Sequence, residues 1–223
     1  RMELRKRRMM EGKLEGMETL LARYVAGTLP KPVAVLVASH LELSPQSRAF
    51  VGALDACAGD WLEREEPAPL ASRDEMLRAI FASSGAAGEP PTVADRGVMP
   101  RALHDFVGHT VDTIPWKTKM PGYREYDVGD VDGFHVSMLW IKPGRKMPAH
   151  THEGMELTLV LDGAFSDAKG RFGRGDISIA DDTVDHRPIA EEGRACIAFA
   201  VTDAPLRLTG PLHQRIADIF GAS

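Results

Sequence analysis

The stretch Gly144-Arg-Lys-Met-Pro-Ala-His150-Thr-His152-Glu-Gly-Met-Glu156 holds two imidazoles and a carboxylate at the spacing of metal ligands. His150 and His152 are two residues apart, so on a strand both rings leave the same face. Glu156 interrupts the start of an apolar run, where a charge is costly to bury without a partner such as a metal ion. A further imidazole, His186, is available downstream. We therefore predict a metal site formed by His150, His152, Glu156 and His186, a ligand set that suits zinc and other divalent metals.

The composition is that of an ordinary globular protein. The 223 residues are 43% hydrophobic and 26% charged, and the net charge of −5 argues against a general nucleic-acid binder. No apolar stretch approaches the roughly 20 residues of a membrane span, and no apolar segment follows the basic start, so we predict neither membrane association nor a secretory signal. Two cysteines, Cys57 and Cys196, cannot build a disulfide framework or a four-cysteine zinc site. This usage fits a reducing compartment and predicts a cytoplasmic protein.

Helical spacing dominates the first eighty-odd residues. Apolar residues recur at intervals of three and four, which predicts helices over about 14–25, 30–43, 44–61 and 73–81. Gly27 ends the first of these helices, and Ser44 is a candidate N-cap of the third.

The composition changes beyond residue 82. Residues 82–100 are small, polar and proline-bearing, which is typical of a linker. The apolar runs that follow, separated by glycine and aspartate, predict the strands of an all-β barrel or sandwich. The predicted fold class is thus α+β, with a small helical domain (14–85), a linker (86–100), a β-barrel (101–212) and a C-terminal tail (213–223).

The metal-ligand spacing also carries a resemblance. The pattern G-x5-H-x-H-x3-E-x6-G, from Gly144 to Gly163, resembles the first signature of the cupin barrels at every position. The second cupin signature is met only in part, because Gly173-Arg-Gly175-Asp176 precedes His186 without the usual proline and asparagine.

The whole chain resembles the ChrR-type anti-sigma factors, which join a helical zinc-binding domain to a C-terminal cupin. Residues 20–29, 38–43 and 52–55 look like the helical half, and residues 156–165, 175–181 and 202–207 look like the cupin half. The resemblance implies that His186, a late histidine before a proline, is the fourth cupin ligand. It also implies a partner, an extracytoplasmic-function sigma factor, which the helical domain would hide from RNA polymerase until oxidative stress releases it.

The helical half departs from this family at its metal ligands. Family members bind zinc there through an upstream histidine and a His-x3-Cys-x2-Cys motif, whereas this chain has His40 followed by Ser44 and Ser47, with Glu15 at the upstream position. A serine hydroxyl is not a competent zinc ligand at neutral pH. We therefore predict no zinc in this domain and a packed or hydrogen-bonded His40. Cys57 is predicted to lie in the helix packing rather than to replace a ligand.

Two functional interpretations remain. The first is an anti-sigma factor with a metal-binding cupin, and the alternative is a metal-dependent cupin enzyme such as a small dioxygenase. Three histidines and one glutamate occupy all four coordination positions of a tetrahedral zinc ion. On octahedral iron, manganese or nickel the same four ligands leave two positions open for chemistry. No acid–base pair or nucleophile stands out, so no catalytic residue is predicted. We favour the regulator with zinc, because the helical half matches as well as the barrel.

Overall fold

The computed structural model describes residues 16–69, 71–83, 97–183, 185–204, 206–209 and 211, without the side chains of His152 and residues 206–208. Within these residues the helices come first and the strands follow. The helices are α1 (Met17–Val25), α2 (Lys31–Leu43), α3 (Pro45–Leu62), α4 (Arg73–Ala82) and α5 (Arg101–Val107). None of them is long and apolar enough to cross a lipid bilayer.

Helices α1 to α4 confirm the four helices predicted from apolar spacing. Ser44 caps α3 as predicted, since its hydroxyl oxygen accepts a hydrogen bond from the backbone N–H of Ser47 at 3.3 Å. Helix α5 was not predicted, because seven residues are too few to show a helical period. Its first N–H groups, on Arg101 and Ala102, donate to the carboxylate of Glu42 at 2.8 and 2.9 Å, so the cap comes from a residue far away in sequence.

The described strands form three antiparallel sheets rather than one closed barrel. The six-stranded sheet has the order β1-β2-β3-β10-β5-β8, and smaller sheets have the orders β11-β4 and β7-β6-β9. The strands are β1 (Lys117–Met120), β2 (Tyr123–Val131), β3 (Phe134–Ile141), β4 (His150–His152), β5 (Glu156–Asp162), β6 (Ala164–Asp167), β7 (Gly170–Gly173), β8 (Ile177–Ala180), β9 (Ile189–Ala190), β10 (Cys196–Thr202) and β11 (Leu206–Leu208).

Strand β10 is the centre of the largest sheet. It lies between β3 and β5, and Phe199 stands opposite Met138 on one side and Leu159 on the other. All of its residues except Thr202 are buried, which explains why this strand is a continuous apolar run rather than an alternating one.

The helices and the large sheet share one apolar core. Val33, Leu36 and Val37 of α2 belong to the same buried cluster as Leu157 and Phe199 of the sheet. The predicted boundaries of the helical domain (14–85) and the β-barrel (101–212) therefore cut through one continuous core. This division into two domains stays a prediction. Residues 14–15, most of the predicted linker and the tail 213–223 lie outside the described residues.

Candidate metal centre

His150 and His186 face each other across an isolated antiparallel bridge. The backbone N–H of each residue donates to the carbonyl oxygen of the other at 3.0 Å. Directly opposed residues of such a pair send their side chains to the same face. The two Nε2 atoms are 3.0 Å apart, and both residues are buried, with exposed fractions of 9% and 5%. The backbone pairing thus joins two imidazoles that are distant in sequence.

Glu156 adds a carboxylate to this pair. It is the first residue of β5, and its Oε2 atom lies 3.9 Å from Nε2 of His186. One ligand atom each from His150, Glu156 and His186 lies within 4.8 Å of the other two. In the part of the chain that the structure describes, this is the one group of three such side chains close enough to hold an ion.

In each ring, Nδ1 is the nitrogen that points away from the other histidine, and it lies beside a hydrogen-bond acceptor. Nδ1 of His150 lies 2.7 Å from the Pro148 carbonyl oxygen, and Nδ1 of His186 lies 3.0 Å from the carboxylate of Asp167, whose side chain is fully buried. A carbonyl oxygen only accepts, and a buried carboxylate beside imidazole does the same, so Nδ1 carries the proton in both rings. Each Nε2 then directs a lone pair into the same space. Two lone pairs 3.0 Å apart repel each other unless a shared proton or a metal ion lies between them, and the orienting partners are those found behind metal-bound histidines.

The turn that leads into Glu156 depends on a close backbone approach. The carboxylate of Asp203 accepts the Met155 N–H at 2.6 Å and holds the segment between β4 and β5. A Cβ atom on Gly154 would clash with that carboxylate, so a side chain there would push Asp203 away from Met155. This turn places Glu156 beside the two histidines.

Three of the four predicted ligands are thus brought together. The fourth, His152, ends β4 and pairs through its backbone with Leu206, while its side chain lies outside the described part of the structure. Asp167 and Asp203, which position the site, were not predicted from the sequence. Neither carries a local signal, because each reaches the site from a strand or turn that is remote in sequence.

The predictions for the helical half have mixed outcomes. His40 is packed and hydrogen-bonded as predicted: it is 5% exposed, with Nε2 2.7 Å from Ser47 Oγ and Nδ1 2.6 Å from the Gly175 carbonyl. The prediction that Cys57 lies in the helix packing is wrong, because Cys57 is exposed. Val51 is the one buried residue of α3, all of which is described, so most of that helix faces away from the core. Glu15 lies outside the described residues.

Comparison with known proteins places the chain in a family. The family described as the ChrR cupin-like domain matches residues 104–204. The anti-sigma-E factor ChrR of Cereibacter sphaeroides is 40% identical over 205 residues, which are 91% of this chain and 95% of that protein. This chain belongs to the ChrR family of anti-sigma factors.

A solved ChrR structure extends the likeness to three dimensions. The crystal structure of Rhodobacter sphaeroides SigE in complex with the anti-sigma ChrR matches with 38% identity and a TM-score of 0.68, covering 84% of this chain and 97% of that chain. These findings confirm the resemblance to ChrR and the predicted fold class, helices followed by a cupin domain. The possible metal site formed by His150, Glu156 and His186 therefore lies in the cupin domain.

Proposed function

We propose that this protein is a cytoplasmic anti-sigma factor that sequesters an extracytoplasmic-function sigma factor through its helices and holds a zinc ion in its cupin domain. Membership of the ChrR family supports the first part, and the similar ChrR structure was solved in complex with SigE. The 40% identical relative is a regulator by name, which argues against the enzyme alternative.

The observation that carries this proposal is the exposed apolar surface of α3 and α4. Of the large apolar side chains that are exposed among the described residues, all but Ile189 lie on these two helices. They are Phe50, Trp61, Leu62, Met76, Ile80 and Phe81. Trp61 is 66% exposed and Phe81 is 84% exposed. Large apolar side chains that are exposed and concentrated on two helices are typical of a protein-binding site, and aromatic side chains often dominate the binding energy there.

Helix α4 shows this exposure of apolar side chains most clearly. Met76 and Ile80 are one turn apart, as are Leu77 and Phe81, so the four side chains form one stripe. An amphipathic helix normally turns such a stripe toward a core, yet no residue of α4 is buried. A sigma factor that covers this stripe would complete the packing that the chain alone leaves open.

Binding to a sigma factor tests this surface directly. We expect the full chain, co-expressed with a sigma factor encoded beside its gene, to give a stable complex. Phe81→Asp should weaken that complex about 30-fold or more, because the change places a charge in the apolar contact. Ala82→Asp is the matched control, since it puts the same charge on the opposite, exposed face of the same helix. Equal affinity of the two variants would refute the assignment of this surface.

The ligand set supports zinc in the cupin domain. Zinc binds imidazole nitrogen and carboxylate oxygen, and the rings of His150 and His186 already present Nε2 to one point. With His152 as the fourth ligand, the ion would be closed to substrate, as in structural and regulatory sites. The metal would supply a fixed positive charge that joins β4, β5 and the His186 bridge. Metal analysis of the purified chain decides between zinc and the alternatives iron, manganese and nickel.

Oxidative stress is the proposed signal for release of the sigma factor, on the strength of the family resemblance. We expect singlet oxygen or a related oxidant to dissociate the purified complex. A complex that survives oxidant doses that modify its side chains would remove this part of the proposal. The cysteine pair of the family is absent, so the response would have to arise elsewhere: in the cupin domain, at the exposed Cys57 or in the sigma factor.

A further inference from the structure

The corner between α2 and α3 holds a second cluster built on histidine, made of His40, Ser44 and Ser47. The family implies zinc at these positions, and the residues present do not fit it. Only His40 offers a nitrogen ligand, and the serine hydroxyls are poor ligands where zinc prefers thiolate. We propose that this corner binds no metal, and that a chain of hydrogen bonds ending on the cupin domain joins the helices to the sheet in its place.

The Gly175 carbonyl, the last acceptor in this series of hydrogen bonds, sets the direction of each of them. The Gly175 carbonyl only accepts, so Nδ1–H of His40 donates to it at 2.6 Å. Nε2 of His40 then accepts from the Ser47 hydroxyl at 2.7 Å, and Ser47 Oγ accepts from the Ser44 hydroxyl at 3.1 Å. Both ring nitrogens are used, so a metal could bind His40 only after the Ser47 contact is broken.

The far end of this chain lies in the turn between β7 and β8. Gly175 has a φ of +91°, and a Cβ atom there would lie 3.1 Å from the side chain of Leu43, so the turn needs glycine and approaches α2 closely. The Gly175 N–H donates to the carbonyl of Val160 in β5 at 2.8 Å. His40 therefore contacts a turn that is fastened to β5, the strand that begins with Glu156 of the metal centre.

The opposite end of α2 is also held by the cupin domain. The backbone N–H of Lys31 donates to the carboxylate of Asp132, in the turn between β2 and β3, at 3.2 Å. Between these two contacts, Val33, Leu36 and Val37 pack into the shared core. Helix α2 is thus fixed to the cupin domain at both ends and along its length, without a metal ion.

Hydrogen exchange of the full chain tests the connection. His40→Ala should speed amide exchange about tenfold or more both in α2 and in the turn 173–176, because the Gly175 carbonyl loses its donor. Ser39→Ala is the matched control, since the Ser39 hydroxyl is equally buried on α2 but donates to Val35 within the same helix. Ser39→Ala should leave amide exchange in the turn 173–176 unchanged. Faster exchange in α2 with an unchanged turn in the His40 variant would overturn the connection.

The milder variant Ser47→Ala keeps the test decisive if His40→Ala does not fold. It removes the donor to Nε2 and leaves the contact with Gly175 in place. Exchange should then rise about threefold to tenfold at the corner of α2 and α3. No change at this corner would show that the chain of hydrogen bonds does not hold the helices.

Zinc analysis of the full chain tests the absence of metal at the corner. After the protein is loaded with zinc and the excess is removed, the His150→Ala variant should retain less than about one tenth of an equivalent of zinc per chain. About one retained equivalent that is lost on adding His40→Ala would place zinc in the helices and overturn the proposal. Neither measurement uses a sigma factor, so the outcome is independent of the proposed anti-sigma function.

Discussion

The two histidine clusters of this protein differ in what their ring nitrogens face. In the cupin domain, Nδ1 of His150 and of His186 each meet an acceptor, and the two Nε2 atoms turn toward one another at 3.0 Å. In the helices, both nitrogens of His40 are already used, one by a carbonyl and one by a hydroxyl. The first arrangement calls for a cation and the second does not. A histidine is thus recognised as a metal ligand by the partners of both nitrogens rather than by its spacing alone.

The two clusters also imply different sources of stability. A structural zinc contributes about 10–16 kcal/mol in small zinc-finger peptides, whereas a neutral hydrogen bond contributes about 0.5–1.5 kcal/mol. The hydrogen-bond chain at His40 therefore fixes the position of the helices on the sheet, but it contributes far less free energy than a metal would. Each fully buried valine or leucine side chain contributes about 1.5–3 kcal/mol, and α2 buries three such side chains in the core that it shares with the sheet. Apolar packing on the cupin domain has to stabilise the helices at the place where the family resemblance implies zinc.

The largest expected effect is the loss of the cupin metal. His150→Ala should lower the metal content from about one per chain to near zero, because it removes one of the two facing Nε2 ligands. Metal analysis of the purified protein measures this change. Ser44→Ala should keep the wild-type content, and a fall in that variant would erase the distinction between the two clusters.

The two cysteines should differ about a thousandfold or more in reactivity. Burial, with Asp162 and Glu191 nearby, raises the pKa of the Cys196 thiol to about 12, whereas Cys57 is exposed on α3. Only the thiolate reacts, so at pH 8 about one ten-thousandth of Cys196 is reactive, and its rate should rise about tenfold per pH unit toward pH 12. Mass spectrometry of alkylated peptides over time measures both rates. Equal rates would mean that the cupin core is open to solvent.

Packing of α2 against the sheet gives the next effect. Leu36→Ala should lower the free energy of unfolding by about 2–5 kcal/mol, because Leu36 is fully buried in the shared core. Leu62→Ala, on the exposed end of α3, should change it by less than about 0.5 kcal/mol. Denaturant unfolding followed by circular dichroism compares the two variants. A small decrease in the free energy of unfolding for Leu36→Ala would show that something other than packing on the cupin domain holds the helices.

The smallest effect concerns the support of one metal ligand. Asp167→Asn removes the charge behind His186 and should weaken metal binding about 10- to 100-fold, measured by competition with a chelator. Asp162→Asn is the matched control, because that carboxylate pairs with the exposed Arg194 instead. Equal affinities for the two variants would mean that Asp167 does not orient the ring.

Some of these features could be predicted from the sequence and others could not. The spacing of His150 and Glu156 is local, and it predicted two of the three side chains that the structure brings together as possible metal ligands. Asp167 could not be found, because it meets His186 only through the pairing of separate strands. Cys57 was misplaced for a different reason. The apolar residues of α3 have the spacing of a core face, yet Trp61 is exposed, and a helix face made for a partner has the same pattern as one made for a core.

An anomalous difference map from crystals of the metal-loaded full chain, recorded at the absorption edge of the metal, tests the central claim most directly. We expect one strong peak, about 2.0–2.2 Å from Nε2 of His150, Nε2 of His186 and a carboxylate oxygen of Glu156, and no peak beside His40. A map without density between the two facing nitrogens, or with a peak at the corner of α2 and α3, would contradict it.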